Sequence, residues 1–341
     1  MTEVELTQPP EECPPRESSG ETLAHRAKGG ALPGFTSLAV LLAVLVILFL
    51  APRFIPRFYV YLLAQILVTG LLATSLNLVL GFGGMYQFHH AVFYGAGAYG
   101  FALLVTKTGL SPWLGYLTAP VVAALISLVM GVITVRLSKL YFGMLQISLG
   151  SLVWATVYRW YTFTGGDDGI HGIRVPELVS SIGGAYYFTL IVTTLCMFLM
   201  YRVVHSPFGR TFQGVRDNPE RTEAVGVNVR RHQLIGLVAA GAFAGIAGSL
   251  FATVEGSVFP DLMFWTLSLE IIIMCLLGGW FYFLGPLIGA ALIVLLRTFV
   301  GIYTEYWTSI LGIVLMLLIF FLPEGVLGLL KKAIRLKAEG L

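Results

Sequence analysis

The run YVYLLAQILVTGLLATSLNLVL (59–80) and the stretch that follows it, GFGGMYQFHHAVFYGAGAYG (81–100), decide the architecture. The first carries no charged residue and is long enough to cross a bilayer, which takes about 20 apolar residues in helical form. The second holds six glycines, one glutamine and two adjacent histidines. Glycine at this density ends one helix and lets the next approach its neighbours closely. In hydrocarbon every backbone polar group needs an internal partner, so such a break persists only where protein or a water-filled cavity surrounds it. The pattern predicts a break at the end of a span, with Gln87, His89 and His90 turned away from lipid because exposure there is costly.

The rest of the chain extends this reading. Of 341 residues, 57% are hydrophobic and 11% charged, with a mean hydropathy of +0.84. A soluble domain carries about 25% charged residues, so this chain lacks the polar surface to face water. The fold class expected is an all-α integral membrane bundle with glycine-rich breaks. Spans are predicted near 35–51, 58–80, 90–107, 112–135, 141–160, 185–204, 232–252, 265–280, 286–302 and 306–322, about ten in all. The eighth and ninth are short and divided by GGWFYFLGP, so nine or eleven remain open. Residues 1–34 have the Pro-, Ser- and Glu-rich composition of a disordered tail, residues 35–330 form the membrane domain, and residues 331–341 are a basic tail. The first apolar run is followed by PRFIPRF, with no small-residue cleavage site, and reads as an uncleaved span. A net charge of +3 gives no argument for nucleic acid. Cys196 and Cys275 sit in apolar runs and read as small buried hydrophobes, Cys13 lies in the tail, and no Cys/His spacing suggests a metal site.

Loop charges orient the bundle, because Lys and Arg are retained on the cytoplasmic side. The internal loop 205–231 and the residues just before it carry six arginines, against Asp217, Glu220 and Glu223. Arg136, Lys139 and the C-terminal lysines agree with it, and the loop TGGDDGIHGIRVPE, with Asp167 and Asp168, falls on the other side. Both termini and the arginine loop are thus expected inside. Arg53, Arg57 and Lys107 run against this assignment and are outweighed.

No phosphate-binding G-x-x-x-x-G-K-[ST], G-x-S-x-G or H-E-x-x-H occurs, so the chain reads as a conduit rather than an enzyme, and uphill transport needs a partner or an ion gradient. For His89 and His90 two readings stand. In one they lie hydrogen-bonded or hydrated in the cytoplasmic interface; in the other at least one lines the translocation path with Gln87. Glu270 and Arg297 are the clear ionisable residues within the spans, both toward the outer face, so proton coupling has little support. Glu270 reads as a structural hydrogen-bonding group or part of an outer gate. In the arginine loop, Pro207 and Gly209 read as a breaker followed by a polar stretch. A short helix is expected after Asn218-Pro219, closed by Gly226. Ala224, Val225 and Val227 form a small apolar knob suited to a groove on a soluble partner; a solvated basic loop is the plainer alternative.

Ordered motif blocks bring in a resemblance. LNLVLGFGG (76–84) with HHAVFYGAGAY (89–99), YFGM (141–144), TGGDDGIHGI (164–173), SPFGR (206–210) with VRDNPERTEAVGVNV (215–229), and LGGWFYFLGPLIGAA (277–291) resemble, in order, the blocks of LivM-type permease subunits of ABC importers for branched-chain amino acids. The resemblance covers about residues 58–328. It implies a permease that pairs with a second, homologous permease, two cytoplasmic ATPase subunits holding ATP and Mg, and an extracytoplasmic solute-binding protein, in a bacterial cytoplasmic membrane. It also implies that Arg216, Asp217, Glu220, Glu223, Ala224, Val225, Gly226 and Asn228 couple to the ATPases. Candidate path residues are Asn77, Gln87, His89, His90, Gln146 and Glu270.

The chain departs from the pattern at Gln87 and His89, where the family has Ser and Gly, and at Gln146, where it has Thr. Those changes make a narrower, amide-richer cavity and leave urea, small amides and carboxylates open beside leucine, isoleucine and valine. Asp167, Asp168 and His171 are candidates for contact with the binding protein, or a plain Asp/Gly turn. Trp113, Trp160 and Trp307 read as interface anchors. LGFGG (80–84) and LLGGW (276–280) hint at an internal repeat. Against the importer stand a self-sufficient channel or proton-coupled carrier and, more remotely, an intramembrane enzyme or scaffold.

Overall fold

The computed structural model describes residues 35–137 and 139–303 and, beyond them, 306, 309–310, 312–313, 316 and 325–328. The chain divides at Leu48. Helix α1 (Phe35–Phe54) lies mostly in the first unit, and the helices that follow belong to the second. These are α2 (Arg57–Leu80), α3 (His90–Lys107), α4 (Pro112–Thr134), α5 (Lys139–Arg159), the single turn α6 (Tyr161–Thr164), α7 (Ile182–His205), α8 (Pro207–Asp217), α9 (Pro219–Ala224), α10 (Val229–Glu255), α11 (Trp265–Gly278) and α12 (Gly285–Tyr303). Each of the first nine predicted spans coincides with a helix to within three residues at either end. The tenth, 306–322, the tails 1–34 and 331–341, Cys13 and Trp307 fall wholly or mostly outside the described residues.

Among the described residues, five helical stretches are long and apolar enough to cross a membrane: Arg57–Leu80, Pro112–Thr134, Ile182–His205, Val229–Glu255 and Gly285–Ile302. Helix α3 is outside that set because His90, Lys107, two tyrosines and three glycines lower its hydropathy, which its packing tolerates. Thirteen of its eighteen residues are buried, so its flanks meet protein and need not be lipid-compatible. Helix α10 packs against α2, α3 and α4 and forms the middle of the second unit. Close approach depends on absent side chains. A Cβ on Gly97 would lie 2.3 Å from the Gly245 Cα, and one on Gly248 would lie 2.0 Å from the Tyr94 carbonyl oxygen. The small-residue face expected on α3 is therefore where α10 crosses it. Helices α11 and α12 close on one another in the same way through Gly278, Gly285 and Gly289. Cys196 and Cys275 are buried and unbridged, and the Cys275 thiol donates to the Ala73 carbonyl.

The only strands among the described residues are β1 (Ile170–His171) and β2 (Ser257–Val258), paired antiparallel with Ile170 opposite Val258. They tie the Gly-rich loop after α6 to the end of α10.

Candidate functional site

Helix α2 ends at Leu80, and the chain then turns back on itself. Gly84 N–H donates to Leu80 O at 3.1 Å and Met85 N–H to Val79 O at 3.1 Å, with Gly84 at φ +68°, a conformation that glycine takes without strain. The return carries the start of α3 back inside the bundle: His90 meets Ser75 of α2, Nε2 to Oγ at 2.8 Å. The α3 backbone is also tied to α11, since Ala91 N–H donates to Ser268 Oγ at 3.0 Å. The irregular segment 81–89 is thus packed against protein over most of its length, with Gly84 and Tyr86 exposed.

The polar residues of this break are buried. Gln87, His89, His90, Gln146 and Asn77 are each at most 1% exposed. His90 is held at both nitrogens, by Ser75 and, through Nδ1, by Gln87 Oε1 at 3.1 Å. Gln146 Oε1 on α5 accepts from Phe88 N–H at 2.9 Å, which fastens the break to α5. Orphan atoms remain: both ring nitrogens of His89, both amide atoms of Asn77, and the Nε2 atoms of Gln87 and Gln146 have no hydrogen-bond partner among the described residues. A buried polar atom without a partner costs roughly 1–3 kcal/mol, so this concentration of them is a feature with a cause. His89 is otherwise packed edge-on to Phe93, ring centroids 4.9 Å apart, and does not lie in an exposed interface. Four of the six candidate path residues, Gln87, His89, His90 and Gln146, gather at the break. Asn77 stands at the start of the break, beside Gly81 and the Trp280 carbonyl, and Glu270 lies on α11 two residues beyond Ser268.

The arginine loop reaches the same break from below. The chain does break here, between α7 and α8 at Ser206, but the polar stretch expected after Pro207 and Gly209 is itself a helix, because residues 207–217 form α8. Ser206 Oγ caps it by accepting from Gly209 N–H at 3.2 Å, and Pro207 occupies the first turn, where its missing N–H costs nothing. The helix is amphipathic, with Phe212 and Val215 inward, a period that the polar composition concealed. Phe212 fills the space left by two glycines: a Cβ on Gly83 would lie 2.3 Å from its ring and one on Gly236 2.5 Å. Arg216 makes the second link. Its Nη1 donates to Gly81 O at 2.8 Å, its side chain passes over Gly84, and its guanidinium lies 5.9 Å from the Phe281 ring centroid. Asp217 binds the same guanidinium at 2.8 Å.

The turn beyond follows the expectation from Asn218-Pro219. Helix α9 is capped by Asn218 Oδ1, which accepts from Arg221 N–H at 2.9 Å, and ends before Gly226 at φ +89°. Asn228 caps α10, accepting from Arg231 N–H at 3.0 Å. Glu220, Glu223, Ala224, Val225 and Gly226 are exposed, Val225 at 78%. The eight candidate coupling residues therefore divide: Arg216 turns inward with Asp217 beside it, Asn228 is a helix cap, and the other five form a projecting knob.

At the opposite end, Asp167 accepts from Tyr161 OH at 2.6 Å, while Asp168 is exposed and its carbonyl accepts from His171 Nε2–H at 2.8 Å. That hydrogen bond to a carboxylate raises the Tyr161 pKa. Trp113 and Trp160 are both largely exposed near helix ends. Among the described residues, no group of three His, Cys, Asp or Glu side chains is placed to hold a metal.

A family model described as the permease component of the branched-chain amino acid transport system matches residues 58–320. The chain belongs to this family. LivM of Escherichia coli strain K12, a high-affinity branched-chain amino acid transport system permease protein, is 27% identical over 324 residues, 87% of this chain and 76% of that protein. A probable LivM permease of Methanocaldococcus jannaschii is 22% identical over 236 residues, covering 61% of this chain and 67% of its own. The guanosine ABC transporter permease NupQ of Bacillus subtilis is 22% identical over 156 residues, 42% of this chain and 49% of its own. No solved structure gives a significant match. The permease is accordingly a multi-pass membrane transport subunit. The resemblance seen in the ordered blocks was to this family. What those blocks did not reveal was the inward role of Ser75 and Phe212; the one signal for Phe212 is the i, i+4 spacing of Phe208 and Phe212.

Proposed function

We propose that the permease forms one half of the translocation path of an ATP-driven importer for branched-chain amino acids, in a bacterial cytoplasmic membrane. A second, homologous permease completes the path. Two ATPase subunits, which hold ATP and Mg, dock on the knob Glu220–Gly226, and an extracytoplasmic binding protein meets the Asp167–Asp168 loop. The chain crosses the membrane ten times with both termini in the cytoplasm. The observation that carries this reading is the double link of α8 to the glycine break, through Phe212 and Arg216. A pull on the knob is delivered to residues 81–84 and from there to the buried polar set at Gln87, His89, His90 and Gln146. Closure of the ATPases shifts the population between two orientations of the path because ATP binds one of them more tightly.

A second substrate class has an observation of its own. The orphan amide and imidazole atoms at the break suit a ligand rich in hydrogen-bonding groups, such as urea, a small amide or a nucleoside, and one relative is named for guanosine. A channel or proton-coupled carrier would work without partners. The decisive experiment purifies tagged protein in mild detergent from native membranes and tests the assembly in liposomes. Co-purified ATPases and a second permease, with ATP-dependent leucine uptake lost in the Glu223→Arg/Gly226→Trp variant, are expected. A lone chain that moves solute down its gradient would overturn the importer.

A further inference from the structure

Helices α4 and α10 run antiparallel, and their small residues fix the register. A Cβ on Gly245 would lie 2.5 Å from the Ala123 Cβ, one on Gly241 2.6 Å from the Ser127 Cβ, and one on Gly131 2.6 Å from Leu237 Cδ2. Each turn forward on α4 is thus matched by a turn back on α10. Beside this crossing lies a groove of about 350 Å³ lined only by apolar residues of these two helices. Val121, Leu125 and Leu128 of α4 form one wall and are exposed; Val238 and Ala242 of α10 form the other. The polar set at the break belongs to other elements, so the groove offers a polar solute nothing to bind.

Both walls lead to an arginine. Val121, Leu125, Leu128 and Val132 follow one face of α4 at helical spacing, and Arg136 comes one turn later, just past the helix end. Arg231, Ile235, Val238 and Ala242 do the same on α10. The antiparallel register brings the two arginines to the same end of the groove, and both are exposed. Neither guanidinium has a hydrogen-bonding or ion-pair partner among the described residues. Arg231 and Ala242 are three turns apart, about 16 Å along the axis, which is half of a hydrocarbon core about 30 Å thick. An apolar groove one leaflet long with two free guanidinium groups at its mouth matches one kind of molecule. We propose that the α4–α10 groove is a binding site for an anionic phospholipid, with an acyl chain along Val121–Leu128 and Val238–Ala242 and the phosphate between Arg136 and Arg231. Arginine suits that end because its planar fork pairs with phosphate oxygens and its stem lies along apolar surface. A helix of a second protein seated there would leave both charges unpaired unless it brought its own acid; a phospholipid supplies chain and charge together. The site is independent of which solute the path carries.

The test places the full chain, with whatever co-purifies, in phosphatidylcholine nanodiscs that carry a trace of a photoreactive lipid. The probe bears a diazirine on one acyl chain and either a phosphatidylglycerol or a phosphatidylcholine headgroup, and labelled peptides are read by mass spectrometry. Labelling around residues 121–128 and 238–242 is expected to be at least fivefold stronger with the phosphatidylglycerol probe. The double variant Arg136→Gln/Arg231→Gln is expected to reduce it to the phosphatidylcholine level, and Ala242→Phe to displace label of either kind from the groove. Arg174→Gln, which removes an exposed arginine elsewhere, is expected to leave it unchanged. Equal labelling by the two headgroups, or labelling that the double variant does not lower, marks ordinary surrounding lipid and overturns the site. A groove that takes no label while the exposed Ile191, Leu195 and Phe198 of α7 do is covered by protein, a second permease subunit among the candidates, which also overturns it. Should the double variant fail to fold, the headgroup comparison on the unaltered chain decides by itself.

Discussion

Arg216 carries the argument at the scale of single residues. Its guanidinium donates to the Gly81 carbonyl and lies over Phe281, so from one helix it meets the glycine break 81–84 and the segment between α11 and α12. A hydrogen bond to a charged group contributes about 1.5–3 kcal/mol, and Arg216→Ala removes it without touching the exposed knob. ATP-dependent uptake is expected to fall at least tenfold while ATPase subunits still co-purify; Arg216→Lys, lacking the planar fork, recovers part of it. Loss of ATPase binding in Arg216→Ala would show instead that the residue shapes the docking surface. His90 is a second case. Replacing it by Phe orphans Gln87 Oε1 and leaves Ser75 only its bond to the Leu72 carbonyl, a cost of about 1–3 kcal/mol, and the melting temperature in detergent is expected to drop accordingly. His90→Gln, which keeps a donor and an acceptor, drops it less. An unchanged melting temperature in His90→Phe would mean the junction does not depend on these bonds.

At the scale of elements, the crossing of α3 and α10 has no room to give. Gly248→Ala sets a Cβ against the Tyr94 carbonyl, which is backbone and cannot rotate away, so destabilisation at or above the 1–3 kcal/mol of ordinary overpacking is expected. Gly183→Ala in the first turn of α7 meets nothing within 4 Å and is expected to be neutral or slightly stabilising. Thermal unfolding of the purified variants separates the two; equal shifts would contradict the close crossing. The elements themselves were legible from apolar run lengths because a bilayer imposes a minimum length on every span. Helix α8 was not, since an amphipathic helix lying at a membrane surface has few apolar residues and its composition resembles a loop.

For the whole molecule, the prediction concerns sidedness. Val225 and Asp168 are both exposed and belong to loops assigned to opposite faces. In a Cys13→Ser background, where the remaining native Cys196 and Cys275 are buried, Val225→Cys is expected to react with an impermeant maleimide only in inside-out vesicles, and Asp168→Cys in intact spheroplasts. Labelling of both from the same side would break the assigned orientation and the docking of ATPases on the knob with it.

The sequence by itself determined that the chain is a helical membrane permease, where its long apolar helices begin and end to within three residues, and which loop holds the knob. These follow from one-dimensional rules: span length, charge bias, cap and proline signals, and the order of motif blocks. It also collected Gln87, His89, His90 and Gln146, because buried polar residues are rare enough in apolar runs to stand out. Only the tertiary structure decided that the break folds back to place His90 against Ser75, that Arg216 and Phe212 join α8 to that break, and that Tyr61, Gln65 and Glu255 meet. Those contacts join residues up to 194 positions apart, and a hydrogen bond between distant helices depends on how the helices cross, which local sequence does not encode.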